Sequence, residues 1–187
     1  MPETLLQFDR HLFYFINHDM GNVFFDWIMP YLRNPRIWIP LYVFIIGFCL
    51  WRYKRVGAII ILLLALTAGV ADFTSATLIK KTVKRTRPCN EVALGDTDIN
   101  RVDCGTGFSF PSTHATDHFA MVAFLILVFY KKWPWVALWA TLWAAVICFA
   151  QVYVGVHYPF DVLVGAIYGI LIGSLFAFLF KKLQPNF

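Results

Sequence analysis

Apolar residues in this chain come in long runs, not in the short alternating stretches of a soluble sheet protein. Five runs approach the ~20 residues that a helix needs to cross a bilayer. They cover residues 35–51 (interrupted by Pro40), 56–79, 112–130 (with a polar first turn), 133–156 and 159–180. In the last run Gly165, Gly169 and Gly173 recur every fourth residue, a stripe that lets a neighbouring helix approach closely. Ahead of the first run, Leu5, Phe8, Leu12, Phe15 and Ile16 repeat at helical spacing, with Gln7, Asp9, Arg10 and His11 largely between them. This pattern predicts an amphipathic helix over residues 4–18 lying in the membrane interface. Residues 23–32 are apolar but short and carry Asp26 and Pro30, so they read as a re-entrant turn or as the start of a longer first span. The expected fold is all-α: one domain over residues 1–187, a polytopic membrane bundle of five transmembrane helices plus the N-terminal interfacial helix.

Composition agrees with this pattern. Hydrophobic residues make up 59% of the chain and charged residues 14%, against roughly 45–50% and about 25% in soluble domains. Seven Trp, eight Tyr and nineteen Phe suit a protein with two wet interfaces to anchor. Residues 1–20 contain Glu3, Asp9, Arg10 and Asp19 without a clean apolar core, so the first span, not a cleaved leader, is expected to direct insertion. The net charge of +5 sits in short clusters between apolar runs, a topology signal and not a nucleic-acid footprint. Three clusters without acids, Arg52/Lys54/Arg55, Lys131/Lys132 and Lys181/Lys182, follow the first, third and fifth runs. The positive-inside rule places them in the cytoplasm, and the N-terminus, the 80–111 loop and the 157–159 turn outside.

The residues with chemistry fall on that outer side. Lys80 and Arg87 are seven apart, two turns along one face if the helix continues, with Lys81, Lys84 and Arg85 adding charge before Pro88 ends it. Basic residues on the side that topology leaves poor in lysine and arginine imply an anion to neutralise. Pro111-Ser112-Thr113-His114 opens the third span with a capping hydroxyl and free backbone N–H groups, where anions bind. His157 and Asp161 are four apart around Pro159, so a carboxylate can fix one imidazole nitrogen and free the other as nucleophile or base. Each cluster alone has an ordinary structural explanation: a basic flank, an N-cap, an interfacial pair. Together they supply what phosphoryl transfer needs: cations for the non-bridging oxygens, a nucleophile and an acid for the leaving group. No cluster of acids points to a catalytic divalent metal, and no cofactor is implied.

These motifs resemble the type 2 phosphatidic acid phosphatase superfamily, whose signature is K-x6-R-P, then P-S-G-H, then S-R-x5-H-x3-D. Lys80 through Arg87-Pro88 matches the first part, and Pro111-Ser112-Thr113-His114 matches the second with Thr113 for glycine. The third appears as Ala150-Gln151, five residues, His157, three residues and Asp161. The resemblance implies a membrane lipid phosphatase of the short bacterial type, in the inner membrane with its site facing the periplasm or exterior. It makes His157 the nucleophile, Asp161 its orienting partner and His114 the leaving-group acid. Lys80, Arg87, Ser112 and Thr113 would hold phosphate. Gln151 stands where the family has arginine; it can donate to a phosphate oxygen without charge, so either Lys84 or Arg85 compensates or the site holds phosphate with one cation fewer.

The implied partner is a bilayer lipid with a phosphate or diphosphate head group: undecaprenyl diphosphate, phosphatidylglycerol phosphate or lipid A phosphate. A phosphotransferase using a lipid diphosphate, and a non-catalytic lipid-phosphate binder, are the competing readings. Cys89 and Cys104 bracket the outward loop with fourteen residues between them and are expected to pair in an oxidising compartment, whereas Cys49 and Cys148 lie in spans.

Overall fold

A computed structural model describes residues 3–91 and 99–187. Residues 92–98, in the middle of the loop expected at 88–111, lie outside the described residues. No strand occurs among the described residues, and the chain is a bundle of helices. Helix α1 (Glu3–Tyr14) runs into a π-helical turn (Phe15–Asp19). Residues 23–32 form a regular helix, α2 (Val23–Leu32), capped by the Asn22 side chain on the Phe25 N–H at 2.9 Å. A 3₁₀ turn (Pro35–Trp38) leads into α3 (Ile39–Phe73), which passes through a π turn (Thr74–Ile79) into the short α4 (Lys80–Val83). Helices α5 (Thr113–Phe129), α6 (Trp135–Tyr153) and α7 (Pro159–Leu183) complete the fold.

The first two apolar runs form one stretch, broken at a single residue. Lys54 has φ 50° and ψ −116° inside α3. There the helix folds back on itself: a Cβ added to Gly57 would lie 2.0 Å from the Cys49 carbonyl oxygen. Three stretches are long and apolar enough to cross a membrane: residues 35–83, α6 and α7. Helices α2 and α5 are apolar but shorter. Large side chains such as Leu62, Leu171 and Leu175 face outward while Gln151, His157 and Asp161 are buried. A surface that greasy around a polar interior belongs to an integral membrane protein.

Helix α5 is the central element. The α7 glycine stripe packs against it so closely that Cβ atoms at Gly165, Gly169 and Gly173 would come within 2.6, 2.2 and 2.1 Å of the Ser112, Thr116 and Ala120 carbonyl oxygens. Below lies an apolar core of Cys49, Ile60, Leu63, Phe124, Val128 and Phe180. The basic clusters gather at that lower end, where Lys132 stands over Phe187 beside Arg52 and Tyr53. The opposite end of α5 carries Ser112 and His114.

Candidate active site

The expected helix between Lys80 and Arg87 does not form. Helix α4 stops at Val83, and Lys84 adopts the left-handed conformation (φ 53°) that ends it, its N–H bonded to the Lys80 carbonyl. Pro88 then holds Arg87 extended, at φ −74° and ψ 151°. This break lets Arg85 and Arg87 point to different partners.

Two backbone hydrogen bonds assemble the site: Ser109 N–H to the Arg85 carbonyl at 2.7 Å, and Ser112 N–H to the Asp161 carbonyl at 2.9 Å. They join the first motif to the second, and the second to the start of α7. The Ser112 hydroxyl caps α5 by accepting from Ala115 N–H at 3.4 Å. Thr113 opens that helix, and its buried hydroxyl has no partner among the described residues.

His157 is 2% exposed, in the turn before α7. Arg87 Nη1 lies 3.4 Å from its Nε2 and also donates to the Val156 carbonyl at 3.1 Å. Because a guanidinium only donates, Nε2 is the unprotonated nitrogen and Nδ1 carries the hydrogen. Nδ1 is 3.6 Å from Asp161 Oδ2, too long for a hydrogen bond, and 3.3 Å from Ser109 Oγ. The Ser109 hydroxyl in turn donates to Asp161 Oδ2. Ser109 therefore bridges the histidine and the carboxylate expected to touch directly. Burial pushes the His157 imidazole down to about 4, against the opposing pull of Asp161. The ring is neutral at pH 7, with its free lone pair on the side where Arg87 stands. Burial also lowers Arg87 from the ordinary arginine range.

Arg85 lies behind the carboxylate, away from this lone pair. Its Nη1 donates to Asp161 Oδ1 at 2.8 Å and its Nη2 to Asp9 Oδ2 at 2.7 Å. Burial works against its charge, but the Asp161 and Asp9 carboxylates outweigh it and raise its pKa. Lys84 is exposed and forms no ion pair among the described residues. Cys89 and Cys104 are joined in a disulfide that ties the first motif to the segment leading to Ser109.

Three residues with no motif around them belong to this end of the bundle. Asp9, on the helix expected to lie in the interface, is fully buried and also accepts from the Phe160 N–H at 2.9 Å. Ser109 is the bridge just described. Arg33, at the end of α2, donates from Nε to Gln151 Oε1 at 3.4 Å. Asp9 and Phe13 both fall on the buried face of α1, which a helical projection of residues 4–18 reveals only once that face has a partner. His114 lies within electrostatic reach of Lys80, Arg33 and His157, and at Thr113 Oγ1, Asp117 Oδ1, His118 Nε2 and Gln151 Nε2 the structure holds buried polar atoms with no hydrogen-bond partner among the described residues. No group of three or more His, Cys, Asp or Glu among the described residues is arranged to hold a metal ion.

Lys80, Arg87 and Arg33 have no carboxylate within 4.0 Å among the described residues, whereas Arg10 and Arg101 each have one and Arg85 has two. Cations without a carboxylate partner among the described residues, beside a neutral imidazole and a helix N-terminus, are an arrangement that can hold an anion. The chain belongs to the PAP2 superfamily, whose family model matches residues 56–185. It is 34% identical to a lipid A 4'-phosphatase of Bacteroides thetaiotaomicron, covering all of this chain and 83% of that protein. It is 27% identical to an undecaprenyl-diphosphatase of Sulfolobus acidocaldarius, covering 98% of this chain and 82% of the relative. Among solved structures, a PAP2-type phosphatidylglycerolphosphate phosphatase of Bacillus subtilis shares the fold with a TM-score of 0.79 at 21% identity, over 99% of this chain and 90% of that one. Aquifex aeolicus LpxE aligns with a TM-score of 0.64 at 25% identity, over 89% and 92%.

Proposed function

We propose that this protein is a membrane lipid phosphatase that removes phosphate from a lipid phosphate or diphosphate through a phosphohistidine at His157. The observation that carries the reading is the bare Nε2 of His157 facing Arg87, beside cations with no carboxylate within 4.0 Å among the described residues. Lys80, Arg87 and the Thr113 N–H hold the non-bridging oxygens. Nε2 attacks phosphorus, and the bond from phosphorus to the lipid oxygen breaks as His114 gives that oxygen a proton. Nδ1–H stays with Ser109 and Asp161, which stabilise the charge left on the ring. Water, giving its proton to His114, then attacks the phosphohistidine and releases phosphate. Each nucleophile, acid and base in this sequence is a side chain or water, and no step as written draws on a metal.

The same reading makes five membrane passes: two from residues 35–83 folded at Lys54, then α5, α6 and α7, with the site facing outward. The gathering of Arg52, Lys132 and Lys182 at the end away from His114 supports that orientation. The likeness to a lipid A 4'-phosphatase over the whole of this chain supports lipid A phosphate as a substrate, beside undecaprenyl diphosphate and phosphatidylglycerol phosphate.

The test is phosphate release from these three lipids by the purified protein in detergent containing excess EDTA. Wild type is expected to turn over at least one, and His157→Ala to retain less than a few per cent. A His157→Ala protein that keeps substantial turnover, or a wild-type rate that collapses in EDTA and returns with Mg²⁺ or Zn²⁺, sinks the mechanism.

A further inference from the structure

Gln151 stands where the resemblance calls for a phosphate-binding arginine, and neither Lys84 nor Arg85 points into the site. We propose that Arg33, from the connection between α2 and α3, supplies the missing charge and grips the substrate phosphate together with the Gln151 amide. The proposal rests on the lipid phosphatase reading above and adds to it a binding residue from outside residues 56–185, the part matched by the family model.

Gln151 is fully buried in the last turn of α6. Its Oε1 accepts from Arg33 Nε at 3.4 Å. A guanidinium has no acceptor, so the amide is oriented with oxygen toward Arg33 and nitrogen away. That nitrogen, Nε2, is buried without a partner among the described residues. A buried amide donor left empty is costly, and an anion accepting from it removes the cost.

Arg33 is placed by packing and not by chance. It is the C-cap of α2, its N–H bonded to the Met29 carbonyl at 3.2 Å. Met29 in turn packs in a buried cluster with Ala150 and Tyr153, the neighbours of Gln151 on α6. The Arg33 guanidinium is half-buried, lies within electrostatic reach of Arg87 and His114, and has no carboxylate within 4.0 Å among the described residues. With Nε committed to Gln151, its two terminal nitrogens have no hydrogen-bond partner among the described residues. Two guanidiniums held near each other repel, and a phosphate between them turns that repulsion into charge-assisted binding. In effect, the arginine of the third motif is replaced by an amide that anchors an arginine from a different helix.

The experiment uses the full chain in detergent and orthovanadate as the phosphate probe, with calorimetric Kd beside kcat/KM on lipid A phosphate, undecaprenyl diphosphate and phosphatidylglycerol phosphate. Arg33→Gln is expected to weaken orthovanadate binding and lower kcat/KM at least tenfold, about 1.4 kcal/mol. Adding Gln151→Arg to that variant recovers at least threefold, and Arg36→Gln, an exposed neighbour, changes neither quantity. An Arg33→Gln protein that binds orthovanadate like an active wild type overturns the proposal alone. A wild type that neither binds orthovanadate nor releases phosphate from any of the three lipids overturns the phosphatase reading and this proposal with it. Should Arg33→Gln fail to fold, Arg33→Lys takes its place: keeping the charge, it is expected to lose less than threefold, and a tenfold loss overturns a role for charge.

Discussion

Arg85 Nη1 donates to Asp161 Oδ1 at 2.8 Å, on the oxygen opposite the one that faces Ser109 and His157. Its second terminal nitrogen binds Asp9 of α1. One guanidinium therefore joins α1, the first motif and the start of α7 through two fully buried carboxylates. The residue expected to touch phosphate lies instead behind Asp161, the carboxylate proposed to orient His157, and is bonded to it and to Asp9.

Arg85→Gln removes the only cation bonded to Asp161 among the described residues and leaves Asp9 without its ion-pair partner. Breaking a buried pair on one side costs about 3–5 kcal/mol. The melting temperature in detergent is expected to drop and kcat to fall at least tenfold, with KM within threefold because Arg85 does not meet substrate. A raised KM with kcat intact would return Arg85 to the phosphate clamp.

The depressed His157 pKa has a definite sign. The unfolded chain takes up a proton near 6.5, while the folded chain refuses it until about 4. Between these values the unfolded state binds more protons, so stability falls as pH drops through that window and is level above it. Thermal denaturation at pH 4–8 checks this, with His157→Gln flattening the curve. Nitrogen NMR of the histidine rings should show His157 titrating near pH 4, and a midpoint above 6 would refute the argument.

Gly169 faces the Thr116 carbonyl, and an added Cβ would sit 2.2 Å from that oxygen. The obstruction is helix backbone, which cannot rotate away, so Gly169→Ala must push α7 from α5 and with it Asp161 from Ser112. Lower thermal stability and lower turnover are expected together. Gly47→Ala and Gly69→Ala, which meet nothing within 4 Å, are the matched controls and should leave both within error.

The Cys89–Cys104 disulfide spans 15 residues of sequence and holds Arg87 and Ser109 in the same region. Loop-closure entropy for a loop of that size amounts to ~3 kcal/mol. Cys89→Ser is expected to lower thermal stability by that order and to reduce kcat/KM, and reductant should do the same to the wild type. Two free thiols in protein purified without reductant, measured by thiol titration, would rule the bond out.

The helical membrane character and the three motifs that the fold gathers at one end of the bundle were legible in the sequence. Each is a one-dimensional signal: a run of apolar residues, a basic flank, a fixed spacing. The α7 glycine stripe belongs to the same class, since its period matches the helix and its partner only has to be close. The partners of Arg85, and the places of Ser109, Asp9 and Arg33, were not legible in this way. The spacing from Lys80 to Arg87 read as one helix, but Lys84 takes the left-handed conformation and ends it, which sends Arg85 to Asp161 and Arg87 to His157. Ser109 bridges a histidine and an aspartate from nearly fifty residues away, and Arg33 meets Gln151 across more than a hundred. No local period records such meetings. Direction, capping and membrane partition act on neighbours in the chain and leave a pattern there. The choice of partner for a buried charge is made by whichever helices the packing brings together, and that exists only in the folded bundle.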